Sequence, residues 1–344
     1  MKSKIHENKN NSLVMSKTKI TLIAIFLGLA FAKAQQNTNN LNIKNSVEMK
    51  TVNFNSEGLN LVGNLYLPAN FDDTKTYPAV IVDGSWTTVK EQMQGLYAEQ
   101  LAENGFITLA FDHRYFGESE GQPREFENHV DKVEDIKNAV TYLQTLPYVD
   151  NNRIGGVGVC ASGAYMMQAS AEDDRIKALG TVVAWLMTSE TAKLFYGGDE
   201  GTSARIQKAQ TAKENFATTG DIAYVPAYDP DDMEAAMFFP VDYYAKESRG
   251  AVPTWTNNFA VMSWEPWLTY DGIAASNDVN VPTIMIGSEK QFLPHGAKTA
   301  FENIDGDQKR AIWMNEYQHD QFYDDAEVIE KSVTELTRHF KANL

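Results

Sequence analysis

Apolar and polar positions along the chain fall into two rhythms that take turns. Met49–Asn55 and Leu59–Tyr66 alternate residue by residue around Ser56-Glu57-Gly58, which predicts a β-hairpin. Ala79–Val82 and Phe106–Phe111 are short apolar runs of the kind that form buried strands. Between them Glu91–Asn104 carries helical spacing through Met93, Leu96, Tyr97 and Leu101, and Gly105 ends it. Val130–Leu146 repeats that spacing through Val133, Ile136, Val140 and Leu143. Arg153–Val159 and Ile176–Trp185 then read as strands. The rhythm lapses from Leu186 to Asp278, where strand signals are few and aromatic residues many. It resumes with a strand over Val281–Gly287, a helix over His295–Asn303, a strand over Arg310–Met314 and a closing helix over Ala326–Ala342. Strands that alternate with helices predict an α/β fold, a mostly parallel central sheet with helices on both faces. The lapse is too long for a plain loop, so an inserted, mainly helical cap is expected at about 187–278.

One stretch carries candidate chemistry. Ile154, Val157 and Val159 supply a β-branched strand, and Gly158, Ala161, Ser162, Gly163 and Ala164 are all small around Cys160. A sharp strand-to-helix reversal needs small neighbours so that the two backbones can pass, and it holds the tip residue in a strained conformation. The frame Gly158-Val-Cys160-Ala-Ser162 follows the nucleophile elbow G-x-S-x-G, with cysteine at the tip and Ser162 in place of the last glycine. Were Ser162 the nucleophile, positions 160 and 164 should be glycine, and they are Cys and Ala. The bland alternative is a small buried cysteine.

A thiol nucleophile needs a base and an oxyanion site. His319 stands directly after the last strand, at the end of a parallel sheet where ligands gather, and last in chain order as this elbow's partner does. His113, His129 and His295 are weaker choices on chain order, and His339 on the closing helix reads as a surface residue. The loop after Gly287 should hold the acid. It contains no aspartate, and Glu289 is its nearest carboxylate, which reads equally as a solvated surface residue. The amide of Ala161, at the start of the elbow helix, is one oxyanion donor. The turn after Val82 offers Ser85 or Trp86 as the second, with Trp86 preferred. A thiol starts nearer neutrality than a hydroxyl and is expected to shift lower at a helix start or beside histidine. The D-x-R-x-x-G-x-S-x-G turn from Asp112 to Gly121 reads as structural, with a buried carboxylate and arginine pairing behind the elbow. No spacing of His, Cys or carboxylates suggests a metal, and no cofactor is required.

The N-terminus changes the picture of where the protein works. Lys17 and Lys19 precede the apolar run Ile20–Ala32, and Ala32-Lys-Ala34 follows, the layout of a secretory signal cleaved after Ala34. Residues 1–34 are therefore expected to be removed, leaving 35–344 as the mature domain, exported to the periplasm or beyond. The apolar run is too short for a lasting membrane span. Cleavage removes six lysines and one glutamate and takes the formal charge from −16 to −21. So acidic a protein is not expected to bind nucleic acid or an anionic membrane surface. Its one cysteine cannot form an internal disulfide.

Several short motifs occur together: Lys90-Glu-Gln92, Leu96-Tyr-Ala98, Leu109-Ala-Phe-Asp112, Gly117-Glu-Ser119, Pro123-Arg124, Val159-Cys-Ala-Ser-Gly163, Arg175-Ile-Lys177, and His319 followed by Phe322-Tyr-Asp324. In combination, from about Thr51 to Leu344, they resemble the cysteine-bearing α/β-hydrolases related to dienelactone hydrolase, in the polyketide-transferase-like and peptidase-S15-like branch. The resemblance implies an α/β-hydrolase fold with Cys160 as nucleophile and His319 as base. The chain departs from it in the acid loop, where aspartate is expected. The expected activity is cleavage of an ester, lactone or other activated acyl bond of a small molecule through a cysteine acyl-enzyme. Acyl transfer, peptidase action, or a degraded homologue that only binds ligands are the alternatives.

Overall fold

The structure is a computed structural model and describes residues 46–344; the expected signal segment lies outside the described residues. Val47–Leu344 forms one compact unit around an eight-stranded sheet. Its strands are β1 (Glu48–Ser56), β2 (Leu59–Leu67), β3 (Tyr77–Asp83), β4 (Ile107–Phe111), β5 (Val149–Val159), β6 (Ile176–Val182), β9 (Thr283–Gly287) and β10 (Lys309–Trp313). A separate antiparallel pair joins β7 (Tyr224–Pro226) to β8 (Asn258–Ala260). The large sheet runs β1-β2-β4-β3-β5-β6-β9-β10, and β2 alone opposes the other strands. This is the α/β-hydrolase fold. The β1–β2 hairpin turns through Glu57 and Gly58, both with positive φ, the geometry that matches the twist of the flanking strands.

Helices cover both faces. Met93–Glu103 and Ala326–Asn343 pack together on one, and His129–Leu143 and Ser162–Glu172 pack together on the other. The closing helix buries Val328, Ile329, Val333, Leu336 and Phe340 along one stripe. His339 is also buried, against the expectation of a surface position. The stripe is wide enough to take in its flank, and the ring packs edge-on to Phe340.

From β3 the chain crosses to β4 on one side, and from β5 it proceeds to β6 on the other. That reversal opens a crevice at the carboxyl ends of β3 and β5, the place where such sheets bind ligands. Asp83 at the end of β3 lies in register with Gly158 near the end of β5. The loops that follow these strands are therefore neighbours. Strand β6 stops at Val182, earlier than the apolar run to Trp185 suggested. Val183 takes a positive φ, and the Trp185 N–H turns to the Cys160 carbonyl at 2.9 Å. The rest of the apolar run thus folds over the elbow.

Between β6 and β9, helices dominate: Ser189–Phe195, Gly198–Thr219, Asp242–Ala245 and Trp264–Thr269. Thr188 starts the first with a reciprocal side-chain cap to Thr191, and glycines with positive φ at 197 and 220 bound the second. The aromatic residues of this segment join the main core.

Candidate active site

Strand β5 delivers Cys160 to a sharp turn at φ +59, and helix Ser162–Glu172 begins two residues later. A left-handed conformation at a non-glycine residue is costly and has to be held by its surroundings. Here the Cys160 N–H bonds to Val182 O at 2.9 Å, and its carbonyl accepts from Gly163 and Trp185. The small residues are needed for clearance. A Cβ on Gly158 would lie 2.1 Å from the Ser162 carbonyl oxygen, and one on Gly163 would lie 2.7 Å from the Ala184 Cβ.

The sulfur sits among hydrogen-bond donors. The hydroxyls of Ser85 and Tyr323 and the amides of Ala161 and Trp86 all face it and favour its charged form. Tyr323 Oη is 2.9 Å from His319 Nε2 and 3.2 Å from Ser85 Oγ, and Tyr244 donates to Ser85 Oγ at 2.8 Å. Cys160 and His319 are thus joined through the Tyr323 hydroxyl. Both are 3% exposed. Burial pushes the Cys160 thiol up, and the two hydroxyls and two amides only partly offset it. The lower thiol pKa expected from the helix start is therefore corrected, because desolvation outweighs the local donors. Burial also lowers His319, to about 3.

The structure does not bring Glu289 to His319. Glu289 projects outward, about half exposed, and pairs with Lys298. Its loop is a tight turn in which Ser288 N–H bonds to the Gln291 side chain and Gln291 reaches the Ala184 carbonyl, so the glutamate faces solvent. His319 Nδ1 instead accepts the Phe292 N–H at 3.2 Å. With a donor at Nδ1, the neutral ring carries its proton on Nε2 and presents it to Tyr323. Asp320 and Asp324 are also turned away from the ring. They bind Arg249, which holds Asp324 through two 2.7 Å bonds. The remaining histidines lie elsewhere: His113 between Asp83 and Asp135, His129 stacked on Tyr270, and His295 on the surface.

Sequence reasoning named Cys160, Ala161, Trp86 and His319, and these four come together. It missed Tyr323, Tyr244 and the Ser85 hydroxyl. The i, i+4 spacing of His319 and Tyr323 across a helical turn was a usable signal for the first. Nothing local marks Tyr244, which reaches Ser85 from 159 positions away.

Behind the elbow lies a second buried polar region. His113 contacts both Asp83 oxygens at 3.0 Å and Asp135 at 3.4 Å. Arg114 bonds to Asp135 at 2.7 Å, Lys90 to Asp112 at 2.8 Å, and Lys132 to Glu127 at 2.8 Å. Burial opposes charge on His113, yet Asp83 and Asp135 push it above its ordinary value. The expectation that Asp112 and Arg114 serve structure holds, with each paired to a separate partner. Among the described residues no group of three or more His, Cys, Asp or Glu is placed to hold a metal ion.

The model of the X-Pro dipeptidyl-peptidase family, S15, matches residues 57–321, which span the elbow, the aromatic segment and His319. The chain belongs to that family. Within the wider α/β-hydrolase superfamily it is 30% identical over 302 residues to the uncharacterized protein YcjY of Escherichia coli K12, covering 85% of this chain and 97% of that one. It is 34% identical over 272 residues to the polyketide transferase claH of Penicillium crustosum, covering 76% and 85%. The crystal structure of the hypothetical protein PA2218 from Pseudomonas aeruginosa superposes with a TM-score of 0.76 at 29% identity, over 87% of this chain and 94% of that one. Together these place the chain among hydrolase-like proteins.

Proposed function

We propose that the protein hydrolyses an ester, lactone or other activated acyl bond of a small molecule through a Cys160 acyl-enzyme. One observation carries the reading: the chain's only thiol stands at a strained elbow where two backbone amides and a Tyr323–His319 relay converge. Cys160 attacks the carbonyl carbon, and the Ala161 and Trp86 amides receive the developing oxyanion. The thiol proton passes to Tyr323 as Tyr323 passes its own proton to His319 Nε2. That transfer needs Nε2 free, so the ring first exchanges to the Nδ1–H form and gives up its long bond to Phe292. When the tetrahedral intermediate collapses, the same relay returns a proton to the leaving group. Water, deprotonated by His319, then attacks the thioester and releases the acid and the thiol. Glu289 has no part in this scheme. Hydrolysis of p-nitrophenyl acetate by the wild type and its loss in Cys160→Ala test the reading, and an undiminished rate in the variant would refute it.

Acyl transfer on the same cysteine is the second reading. The near-complete burial of Cys160 and His319 favours it, because a water-poor site protects an acyl-enzyme until an acceptor binds. Alcohol and amine acceptors added to the ester assay separate the two, and an X-Pro nitroanilide tests peptidase action. The absent carboxylate favours a ligand-binding homologue instead, and a wild type inert in all three assays would establish it. We also propose that residues 1–34 direct export to the periplasm or beyond, so that the mature protein begins at Gln35. N-terminal sequencing of the protein recovered from the cell envelope or medium tests this.

A further inference from the structure

We infer that Trp255 is a positioning residue for the oxyanion: it holds the Thr87 carbonyl and thereby keeps the Trp86 amide aimed at the reacting centre. The inference rests on the cysteine acyl-enzyme reading above and adds to it a residue from the segment between β6 and β9. The loop after β3 makes a tight turn over Ser85-Trp86-Thr87-Thr88. The peptide between Ser85 and Trp86 is the important one, since its buried N–H faces the Cys160 thiol and favours the charged form there. Its other end, the Ser85 carbonyl, accepts the Thr88 hydroxyl at 2.6 Å and faces the Thr88 N–H at 3.4 Å. Thr88 can reach that carbonyl only while Thr87 stays folded back between them.

Thr87 does so at φ +62, a conformation that a β-branched side chain resists. Two outside groups hold it there. Its N–H bonds to Glu127 Oε2 at 3.2 Å, and its carbonyl accepts the Trp255 indole N–H at 3.0 Å. Glu127 is itself fixed, buried against Lys132 and the Tyr165 hydroxyl. The core therefore grips one side of Thr87 and the segment between β6 and β9 grips the other. The same segment stacks Trp267 on the Trp86 ring, with centroids 4.3 Å apart. Without the indole N–H, the buried Thr87 carbonyl loses its partner and the peptide can turn to find another. The Ser85–Trp86 peptide then turns with it, and the oxyanion loses a fixed donor while Cys160, Tyr323 and His319 stay in place.

The test uses full-length mature protein with Trp255→Phe, which removes the N–H and keeps a ring, and Trp255→His, which restores a ring N–H. Two rates are measured: turnover of p-nitrophenyl acetate, which needs the oxyanion donors, and alkylation of Cys160 by iodoacetamide, which forms no oxyanion and feels the Trp86 amide only through its small share in stabilising the thiolate. The expected result is a kcat about tenfold lower in Trp255→Phe, below the loss seen when an oxyanion donor is deleted outright. KM and the alkylation rate should stay within about twofold, and Trp255→His should recover part of the kcat. An unchanged kcat in Trp255→Phe would overturn the inference. So would a parallel tenfold fall in alkylation, which would mean general loosening of the site. Retained ester turnover in Cys160→Ala would instead remove the acyl-enzyme reading on which the inference stands.

Discussion

Two buried polar regions lie back to back at the carboxyl end of the sheet, and they are built on opposite principles. Behind the elbow, Asp83, Asp112, Asp135 and Glu127 face His113, Lys90, Arg114 and Lys132, and each charge meets its opposite at short range. Each carboxylate also accepts a backbone N–H: Asp112 takes the Lys90 amide, Asp135 the Arg114 amide, Glu127 the Thr87 amide and Asp83 the Gly84 amide. In front of the elbow, Cys160, His319, Tyr323, Tyr244 and Ser85 make a connected set with no carboxylate or cation in it. Burial keeps the cysteine, the histidine and the two tyrosines in their neutral forms. The difference teaches that charge in this molecule is paired off behind the elbow and takes up backbone amides there, while the groups in front of it rest uncharged. On the proposed acyl-enzyme reading, their ionisation has to be created when substrate arrives.

Breaking the front region should have the largest effect. Cys160→Ala is expected to lower ester turnover by about 10³-fold or more, measured by release of p-nitrophenol. Breaking the rear region should unfold rather than inactivate. Asp135→Ala leaves buried Arg114 with Glu57 and Asp131 and buried His113 with Asp83 alone, at an expected cost of up to about 3–5 kcal/mol by chemical denaturation. A loss below about 1 kcal/mol would mean that water or a rearrangement replaces the carboxylate. Tyr323→Phe keeps the ring and removes only the relay hydroxyl. Its expected effect is about a 10²-fold fall in kcat with little change in stability, and a wild-type kcat would exclude the relay.

Proton titration sharpens the comparison further. In the folded protein His319 has its pKa lowered to about 3 from 6.5, so it binds fewer protons than the unfolded chain between these values. Its contribution to stability is present above about pH 6.5 and is lost as pH falls toward 3. The activity profile should show no imidazole limb between pH 5 and 7. It should keep rising with pH into and beyond the ordinary thiol range, because burial raises the Cys160 pKa. A limb near pH 6.5 would mean that His319 finds a carboxylate during turnover. The smallest effect is expected at Glu289. Exposed and, among the described residues, paired with Lys298, it should tolerate Glu289→Gln with kcat changed less than about twofold and stability within about 1 kcal/mol.

The mistaken place for Glu289 shows where sequence reasoning stops. Chain order pointed to the loop after Gly287 for an acid, but a loop's position along the chain does not say which way its side chains turn. The Ser288–Gln291 turn and the Phe292 amide decided that. The elbow was legible because its requirement is local. Gly158 and Gly163 must be small whatever surrounds them, and both sit within three residues of Cys160. His319 was legible because the alternation of strands and helices fixes which loops share one end of the sheet. The Ser85–Tyr323 contact joins positions 238 apart, and the Trp255–Thr87 contact joins positions 168 apart. No periodicity or turn signal connects such pairs.

The sequence by itself determined the sheet order's raw material, the turn at Cys160 and the histidine that shares its end of the sheet, because apolar rhythm and steric clearance act over a few residues. Only the tertiary structure decided that the cysteine and histidine meet through a tyrosine, that both are held neutral, and that a tryptophan from a distant segment grips the loop beside them. Protonation and hydrogen bonding depend on what lies within a few ångströms in space, and the folded backbone alone sets that.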